Sequence, residues 1–348
     1  MISKRALGQE LMAGLLAVSM VASCGFCSAH AQAPDTFYKG KNLDLIIGYP
    51  PGGSNDLYAR LLAAHFSKHI PGNPAIVPRN MPGAGSFVAV NLMSASVPKD
   101  GSAIAIGAPT LAIDEKLGTS GVRYKTAELN WIGRIAPLVN IVMVKKSVGV
   151  GTIAEAQKKE VTLSGTGAGS TVGIYPTVMN NMFGTKFKLV NGYKGSNEAM
   201  LAVERGEVDG HSTAWEALKA AHPTWVPDGY VNLLVQFSAK RIAELPNVPA
   251  AVEFARNDEE RRVIEAIVSA AEVGTSFFTT PGVPPARVEL LRRAFDATMA
   301  DPDLKADVVK IRGTLDPMKG EDLQKLVAQV ANLPPDLTEK VRKVYVQN

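Results

Sequence analysis

Cysteine is nearly missing from this 348-residue chain: there are two, Cys24 and Cys27, both within the first thirty residues. The remainder therefore holds no disulfide and offers no thiolate for catalysis or metal binding. A chain of this length has core enough to fold without a cross-link. Aromatics are few, at 11 Phe, 8 Tyr and 3 Trp, so the interior must be mainly aliphatic. No charge of one sign dominates either, since 37 Lys+Arg against 33 Asp+Glu leave a net +4. With the signs well mixed and no dense basic run, a nucleic-acid partner is not expected. Beyond the first thirty residues no apolar stretch approaches the ~20 residues that span a bilayer. Solenoid-length repeats and low-complexity linkers are also absent. What remains, 46% hydrophobic and 20% charged, is the composition of a globular protein with about two domains.

Lys4 and Arg5 precede an uncharged run from Leu11 to Ala29, and Ala29-His30-Ala31 places small residues at the two positions of a cleavage site. This is the pattern of a secretory signal, giving 1–31 as a removed leader and an exported, periplasmic chain. Two alternatives stay open. Val21-Ala22-Ser23-Cys24 is similar to a lipobox, which would leave a lipoprotein acylated at Cys24. The segment is also barely long enough to persist as a membrane helix.

Short β-type runs alternate with helical patterns thereafter. Leu43-Asp44-Leu45-Ile46-Ile47, Ala103-Ile104-Ala105-Ile106, Ile141-Val142-Met143-Val144, Val161-Thr162-Leu163, Phe187-Lys188-Leu189-Val190 and Val231-Asn232-Leu233-Leu234-Val235 read as strands. Helical stretches cover 56–69, 196–205 and 258–271. Pro284-Pro285 starts another that runs to about Ala300, and Asp301-Pro302, Gly320 and Pro334-Pro335 punctuate three more. The alternation predicts an α/β fold with parallel sheets covered by helices on both faces. Two lobes without a flexible tether imply crossings on ordered strands, expected near 140–144 and 275–279. The expected division is lobe 1 from 32–142 plus 276–348 and lobe 2 from 143–275.

Two glycine-rich turns stand out. Tyr49-Pro50-Pro51-Gly52-Gly53-Ser54-Asn55-Asp56 follows a strand and opens a helix. Glycines let successive N–H groups converge, and the helix start adds unpaired donors and the positive end of its dipole. Ser54 or Asn55 is available as the cap, and Asp56 as a first-turn acid. A plain strand-to-helix turn would use the same residues, so both readings stand. The second turn is Ser164-Gly165-Thr166-Gly167-Ala168-Gly169-Ser170-Thr171. It lacks the Gly-Lys-Ser/Thr of a phosphate loop, and Ser170 stands where a dinucleotide fingerprint needs a small third residue; no cofactor is expected. Pro176 predicts a helix that is kinked or starts late. Facing each other across a cleft, the two turns would suit a small organic anion such as a carboxylate. Three or four charge-assisted hydrogen bonds of roughly 1.5–3 kcal/mol each suffice for micromolar affinity, about −8 kcal/mol.

These motifs resemble the Bug family, the periplasmic receptors of tripartite tricarboxylate transporters. Its Pro-x-Gly-Gly-x-x-Asp is matched by Pro50-Pro51-Gly52-Gly53-Ser54-Asn55-Asp56, and its Asn-x-Pro-Gly-Ala-Gly by Asn80-Met81-Pro82-Gly83-Ala84-Gly85. Pro98-Lys99-Asp100-Gly101 (with a lysine inserted), Tyr193-Lys194-Gly195, Gly206-Glu207-Val208-Asp209, Leu245-Pro246-Asn247-Val248-Pro249 and Pro281-Gly282-Val283-Pro284 continue the match in order. The resemblance implies a type II periplasmic-binding-protein fold: two α/β lobes joined by two crossing strands, with the ligand cleft between them. It implies a small organic carboxylate as ligand, held by main-chain N–H groups. It also implies a monomeric, non-enzymatic receptor that delivers the ligand to integral membrane transporter subunits. It places ligand-binding residues at Tyr49, Pro51, Gly52, Gly53 and Ser54, at Ser164, Thr166, Gly167, Ala168, Ser170 and Thr171, and at Tyr193 and Asp209 in the second lobe. The chain departs from the pattern at Ala250-Ala251-Val252-Glu253-Phe254-Ala255 and at Gly210-His211-Ser212-Thr213-Ala214-Trp215.

Rival functions remain in view. A sensory receptor signalling to a membrane kinase would use the same fold. A periplasmic hydrolase would have to use Ser164 or Ser170, although no Gly-x-Ser-x-Gly elbow is present. His65 and His69 share a helix face at metal-ligand spacing, but without an acid between them a solvated face is the expectation. His211 and Trp215 follow Asp209; Trp215 would either stack on an aromatic ligand or pack in the core.

Overall fold

The computed structural model describes residues 36–166 and 169–345. The leader with its two cysteines, and Gly167 and Ala168 of the second glycine turn, lie outside the described residues. The strands are β1 (Asn42–Ile47), β2 (Ala75–Asn80), β3 (Ala103–Ile106), β4 (Asn130–Arg134), β5 (Asn140–Lys145), β6 (Val161–Gly165), β7 (Phe187–Asn191), β8 (Gly210–Ala214), β9 (Val231–Phe237), β10 (Ser276–Thr279) and β11 (Met318–Lys319). They form two sheets, ordered β11-β4-β10-β3-β1-β2 and β7-β6-β8-β5-β9. β1 is parallel to β2 and β3, and β6 to β7 and β8. The sheets are nevertheless mixed rather than parallel, because β10 is antiparallel to β3 and β4, and β5 to β8 and β9. β11 is antiparallel to β4 as well; the other two exceptions, β5 and β10, enter one sheet from the other. They are free of the βαβ crossover that keeps successive strands parallel.

The helices are α1 (Ser54–Phe66), α2 (Phe87–Ala95), α3 (Leu111–Leu117), α4 (Ile153–Ala156), α5 (Thr171–Phe183), α6 (Ser196–Arg205), α7 (Trp215–Ala221), α8 (Asp258–Val273), α9 (Pro285–Ala300), α10 (Pro302–Lys310), α11 (Gly320–Ala331) and α12 (Pro335–Tyr345). None of them is long and apolar enough to cross a membrane. Strand alternation decides where each packs. Leu43, Leu45 and Ile47 of β1, with Ile104 and Ile106 of β3, share an apolar layer with α1, α9 and α10. Ile46, Ala103 and Ala105 point the other way. Likewise Ile141 and Met143 of β5 pack with α6 and α7, while Val142 and Val144 join the cluster that holds Ile46. That cluster is continuous between the sheets and includes residues of α5, α8, α11 and α12.

The two crossing segments are tied to each other. Ile135 donates to the Thr275 carbonyl (3.0 Å), Thr275 to that of Ala136 (2.9 Å) and Leu138 to that of Ala271 (2.9 Å). Gly274 makes this approach possible: its φ is +56°, and a Cβ there would lie 2.2 Å from the Ala136 oxygen. Of the two outcomes expected from Pro176, a late start does not occur: helix α5 begins at Thr171, where Ser170 caps it, and continues through Pro176.

Behind the cavity described below, Asp114 of α3 is fully buried and accepts a hydrogen bond from the Tyr345 hydroxyl of α12 at 3.1 Å. Tyr49, Tyr124, Tyr175 and Tyr345 all lie close enough to feel its charge. Burial pushes the Asp114 carboxyl up to about 7. Between pH 4 and 7, roughly, the folded chain thus keeps a proton that the unfolded chain releases, so this group lowers stability as pH rises through that window. Asp114→Asn is expected to flatten that slope and to melt several degrees above wild type at about pH 8. Thermal unfolding across pH tests this, and parallel curves for the two proteins would contradict it.

Candidate functional site

A cavity of about 440 Å³ lies between the sheets, a volume suited to a small molecule. On the first-sheet side the chain leaves β1 through Gly48, Tyr49, Pro50 and Pro51 and enters α1, whose Ser54 and Asn55 also line the wall. Gly48 must be glycine, since a Cβ there would sit 2.5 Å from that of Ser86. Contrary to expectation neither Ser54 nor Asn55 caps α1. Gly53 is the N-cap and makes no side-chain bond. Ser54 Oγ and Asn55 Oδ1 instead stay buried without a partner.

Asp56 works one layer back. Its carboxylate accepts from the Gly52 N–H (2.9 Å), Arg60 Nε (3.0 Å) and Asn80 Nδ2 (2.7 Å). Burial pushes its pKa up, but the hydrogen bonds from Arg60, Asn80 and Gly52 outweigh burial and hold it below the usual carboxylate range. Its charge is answered internally and does not oppose an anion in the cavity.

Next to this turn Gly83, Ala84, Gly85 and Ser86 have φ of +146°, +46°, +63° and +80°. Two non-glycine residues in the left-handed region cost roughly 1–2 kcal/mol each. The run folds the loop against the cavity and hands it to α2, held by the bond from Ala108 N–H to Ser86 Oγ at 2.8 Å.

From the second sheet come Thr166, Ser170, Thr171 and Val172. Ser170 Oγ accepts from the Val172 N–H (3.3 Å) and from the Thr166 hydroxyl (2.8 Å), which orients the start of α5. Tyr193, Lys194, Gly195 and Ser196 lead into α6 along the same wall. Leu138 and Asn140 of the crossing, and Thr213, Ala214 and Ala217 around the end of β8, complete it. Asn140 Nδ2 and Thr213 Oγ1 are again buried without a partner. The N-terminal ends of α1, α2, α5, α6 and α7 therefore meet at one cavity. Among the described residues Lys194 is the only charged one lining it. Each helix end carries about half a positive charge, so the site is electropositive without an arginine.

Glycines also let the lobes touch at the rim. A Cβ on Gly52 would lie 2.3 Å from Asn197 Nδ2, one on Gly195 2.8 Å from Pro50 Cγ, and one on Gly85 2.2 Å from the Gly169 oxygen.

Of the residues expected from sequence, Tyr49, Pro51, Gly53, Ser54, Thr166, Ser170, Thr171 and Tyr193 line this cavity. Gly52 stands at its edge with its N–H given to Asp56. Asp209 does not line it; its carboxylate accepts from the N–H and hydroxyl of Thr162 at 2.8 and 2.7 Å, tying β6 to the turn before β8. Ser164 does not line it either. Its hydroxyl lies 2.8 Å from His211 Nδ1, the spacing of a nucleophile and base, but both residues are 0% exposed. Burial pushes His211 down to about 4, which is the behaviour of a neutral core histidine. Trp215 is core as well, with its indole N–H on Glu244 at 2.9 Å. His65 and His69 pair with separate carboxylates, Asp307 (2.9 Å) and Asp301 (3.0 Å), and no metal-holding cluster exists among the described residues.

Sequence reasoning passed over Asn55, the 83–86 loop, Lys194, Asn140 and Thr213 as wall residues. The loop and Lys194 were visible as motifs without an assigned role. Asn140 and Thr213 showed only as single polar residues at the ends of strands.

The profile described as "Tripartite tricarboxylate transporter family receptor" matches residues 58–340. Among curated proteins, the "UPF0065 protein in gbd 5'region" of Cupriavidus necator is 27% identical over 309 residues, covering 86% of each chain. Protein BugT of Bordetella pertussis is 27% identical over 255 residues, 70% of this chain and 74% of that one. Among solved structures, BugD superposes with a TM-score of 0.70 at 19% identity over 89% of this chain and 100% of that one. An R. palustris protein with adipate gives a TM-score of 0.68 at 22% identity, over 88% and 98%. MatC from Rhodopseudomonas palustris with bound malate gives 0.63 at 16% identity, over 86% and 99%.

Because Asp56 organises the first turn through three donors, Asp56→Ala is expected to cost about 1–3 kcal/mol at neutral pH. With a depressed folded pKa, that contribution is present above the unfolded value and fades as pH falls through the folded one. Urea unfolding at neutral and acid pH measures it; a difference between the two proteins that persists unchanged in acid would contradict the assignment.

Proposed function

Because the chain belongs to the tripartite tricarboxylate transporter receptor family, we propose that it captures a small organic carboxylate between its lobes and delivers it to the integral membrane subunits of such a transporter. The family is one of periplasmic solute-binding receptors, not of enzymes. The observation that carries the reading is the meeting of five helix N-termini at one cavity whose single charged lining residue, among those described, is Lys194. An anion there receives main-chain hydrogen bonds worth roughly 1.5–3 kcal/mol each when charge-assisted. The adipate and malate held by two structures of the same fold support a carboxylate. In this reading Tyr49, Pro51, Gly53 and Ser54 act from one jaw and Thr166, Ser170, Thr171 and Tyr193 from the other. Residues 143–275 form the second jaw, and residues 1–31 serve export. Ligand bound to both jaws favours the closed form, which is the state a permease would recognise.

A thermal-shift screen of mono-, di- and aromatic carboxylates tests the ligand class. A ligand at 100 times its Kd is expected to add about 2.7 kcal/mol of stability, a rise of several degrees in Tm. Gly53→Val supplies the control: a Cβ there meets no atom within 4 Å and φ is −79°, so the variant folds while its side chain enters the cavity. It is expected to lose the shift. An undiminished shift, or no response of wild type to any carboxylate, would overturn the proposal. Capture of a membrane kinase in place of transporter subunits would redirect it to a sensor.

A further inference from the structure

We propose that Thr314 and Glu216 are positioning residues for ligand capture: they touch no ligand, yet the hydrogen bond between them latches one jaw to the other and sets how long any ligand is held. The inference rests on the reading above, in which the ligand is captured between the lobes, and adds residues that fix its affinity.

Thr314 moves with the first jaw. Arg312, at φ +54°, turns the chain out of α10, and residues 312–317 lead on to β11. Ile311 and Leu315 pack in the apolar layer of α1, α9 and α10. Thr314 is locked to α1 by a reciprocal pair: its N–H donates to the Tyr58 hydroxyl oxygen at 2.7 Å, and that hydroxyl donates to its carbonyl at 2.9 Å. Gly313 permits the approach, since a Cβ there would lie 3.0 Å from the same Tyr58 oxygen. Further on, the Asp316 N–H donates to the Ile135 carbonyl at 3.0 Å, and its carboxylate accepts from Arg134 at 3.2 Å. The segment is thus fixed to the helix whose first turn lines the cavity.

Glu216 moves with the second jaw. It lies in the first turn of α7, between the wall residues Ala214 and Ala217. Its neighbours Trp215 and Leu218 pack with β5 and α6. One of its carboxyl oxygens accepts from the Thr314 hydroxyl at 3.2 Å; the other has no partner, and the residue is 6% exposed. Lys219, on the same helix, gives its ammonium to Glu244 at 2.6 Å, and Glu244 also takes the Trp215 indole N–H. Neither Thr314 nor Glu216 lines the cavity. Their bond joins two helices, α1 and α7, that start at it from opposite sides.

A buried carboxylate is costly to leave without its donor. When the jaws part, water reaches Glu216 and replaces Thr314; when they close, the hydroxyl is what the opposite jaw supplies. Loss of the hydroxyl therefore penalises the closed form alone, and apparent affinity falls with the population of that form. Since the ligand itself is untouched, every ligand loses by the same factor, and the loss lies in its release.

Titration and stopped-flow release measurements on the purified protein with adipate, malate and butyrate test this. Thr314→Val, which keeps the shape of the side chain, is expected to raise Kd about tenfold for each acid that wild type binds. The factor is the same for all, with faster release and an unchanged association rate. Thr314→Ser, which keeps the hydroxyl, is expected to retain most of the affinity. In a Glu216→Leu background Thr314→Val is expected to have no further effect. Unchanged Kd and release, a factor that differs from acid to acid, or the full Thr314→Val penalty in the Glu216→Leu background would overturn the latch and leave the carboxylate reading standing. Should wild type bind none of the acids, the carboxylate reading falls and X-ray scattering from the ligand-free chain decides the latch. A larger radius of gyration for Thr314→Val then supports it, and a profile identical to wild type overturns it.

Discussion

Backbone N–H groups in the first turn of a helix have no carbonyl of their own helix to bond, and here five helix starts line one cavity of about 440 Å³. Much of the surrounding structure keeps them there. Gly48 brings the end of β1 against Ser86, and the left-handed run through Ala84 and Ser86 aims α2 at the same point. Asp56 fixes Gly52 while Arg60 answers its charge. Amides suit this work because they carry no net charge. A cavity lined by arginines would leave unpaired ions whenever it closed without ligand, whereas helix ends leave only partial charges.

The same economy shapes the contact between lobes. Where they meet at the rim, the touching atoms are backbone or short side chains, made possible by Gly52, Gly85 and Gly195. At the crossings, residues 135–138 and 271–275 bond to one another, again around a glycine, Gly274. Away from these points an apolar cluster runs on between the sheets, crossed by polar ties such as the Thr314 hydroxyl on Glu216 at 3.2 Å and Asn181 Nδ2 on the Val344 carbonyl at 3.0 Å.

How much of this was legible depended on whether the cause was local. β3 and α6 were readable to the residue, and α9 to its end, because alternation, glycine stops and Pro284-Pro285 act along the chain. β2 was missed because Pro78 reads as a breaker; the strand sits at the sheet edge, where a missing N–H is tolerated. β8, Gly210–Ala214, carries two hydroxyls and a histidine and shows no apolar pattern, yet all five residues are buried. The mixed strand directions could not be read at all, since pairing is set by the partner and not by the strand. The two glycine turns were legible as a pair. Their finer chemistry was not: whether Ser54 caps or faces the cavity, and whether Asp209 lines it or braces β6, depends on three-dimensional neighbours far away in sequence.

A crystal structure of the protein with a bound carboxylate tests the central claim most directly. The expected result places the carboxylate oxygens within hydrogen-bonding reach, direct or through one water, of N–H groups in the first turn of α1 and of α5 or α6 together. An anion held by one lobe alone, or seated outside this cavity, would contradict it.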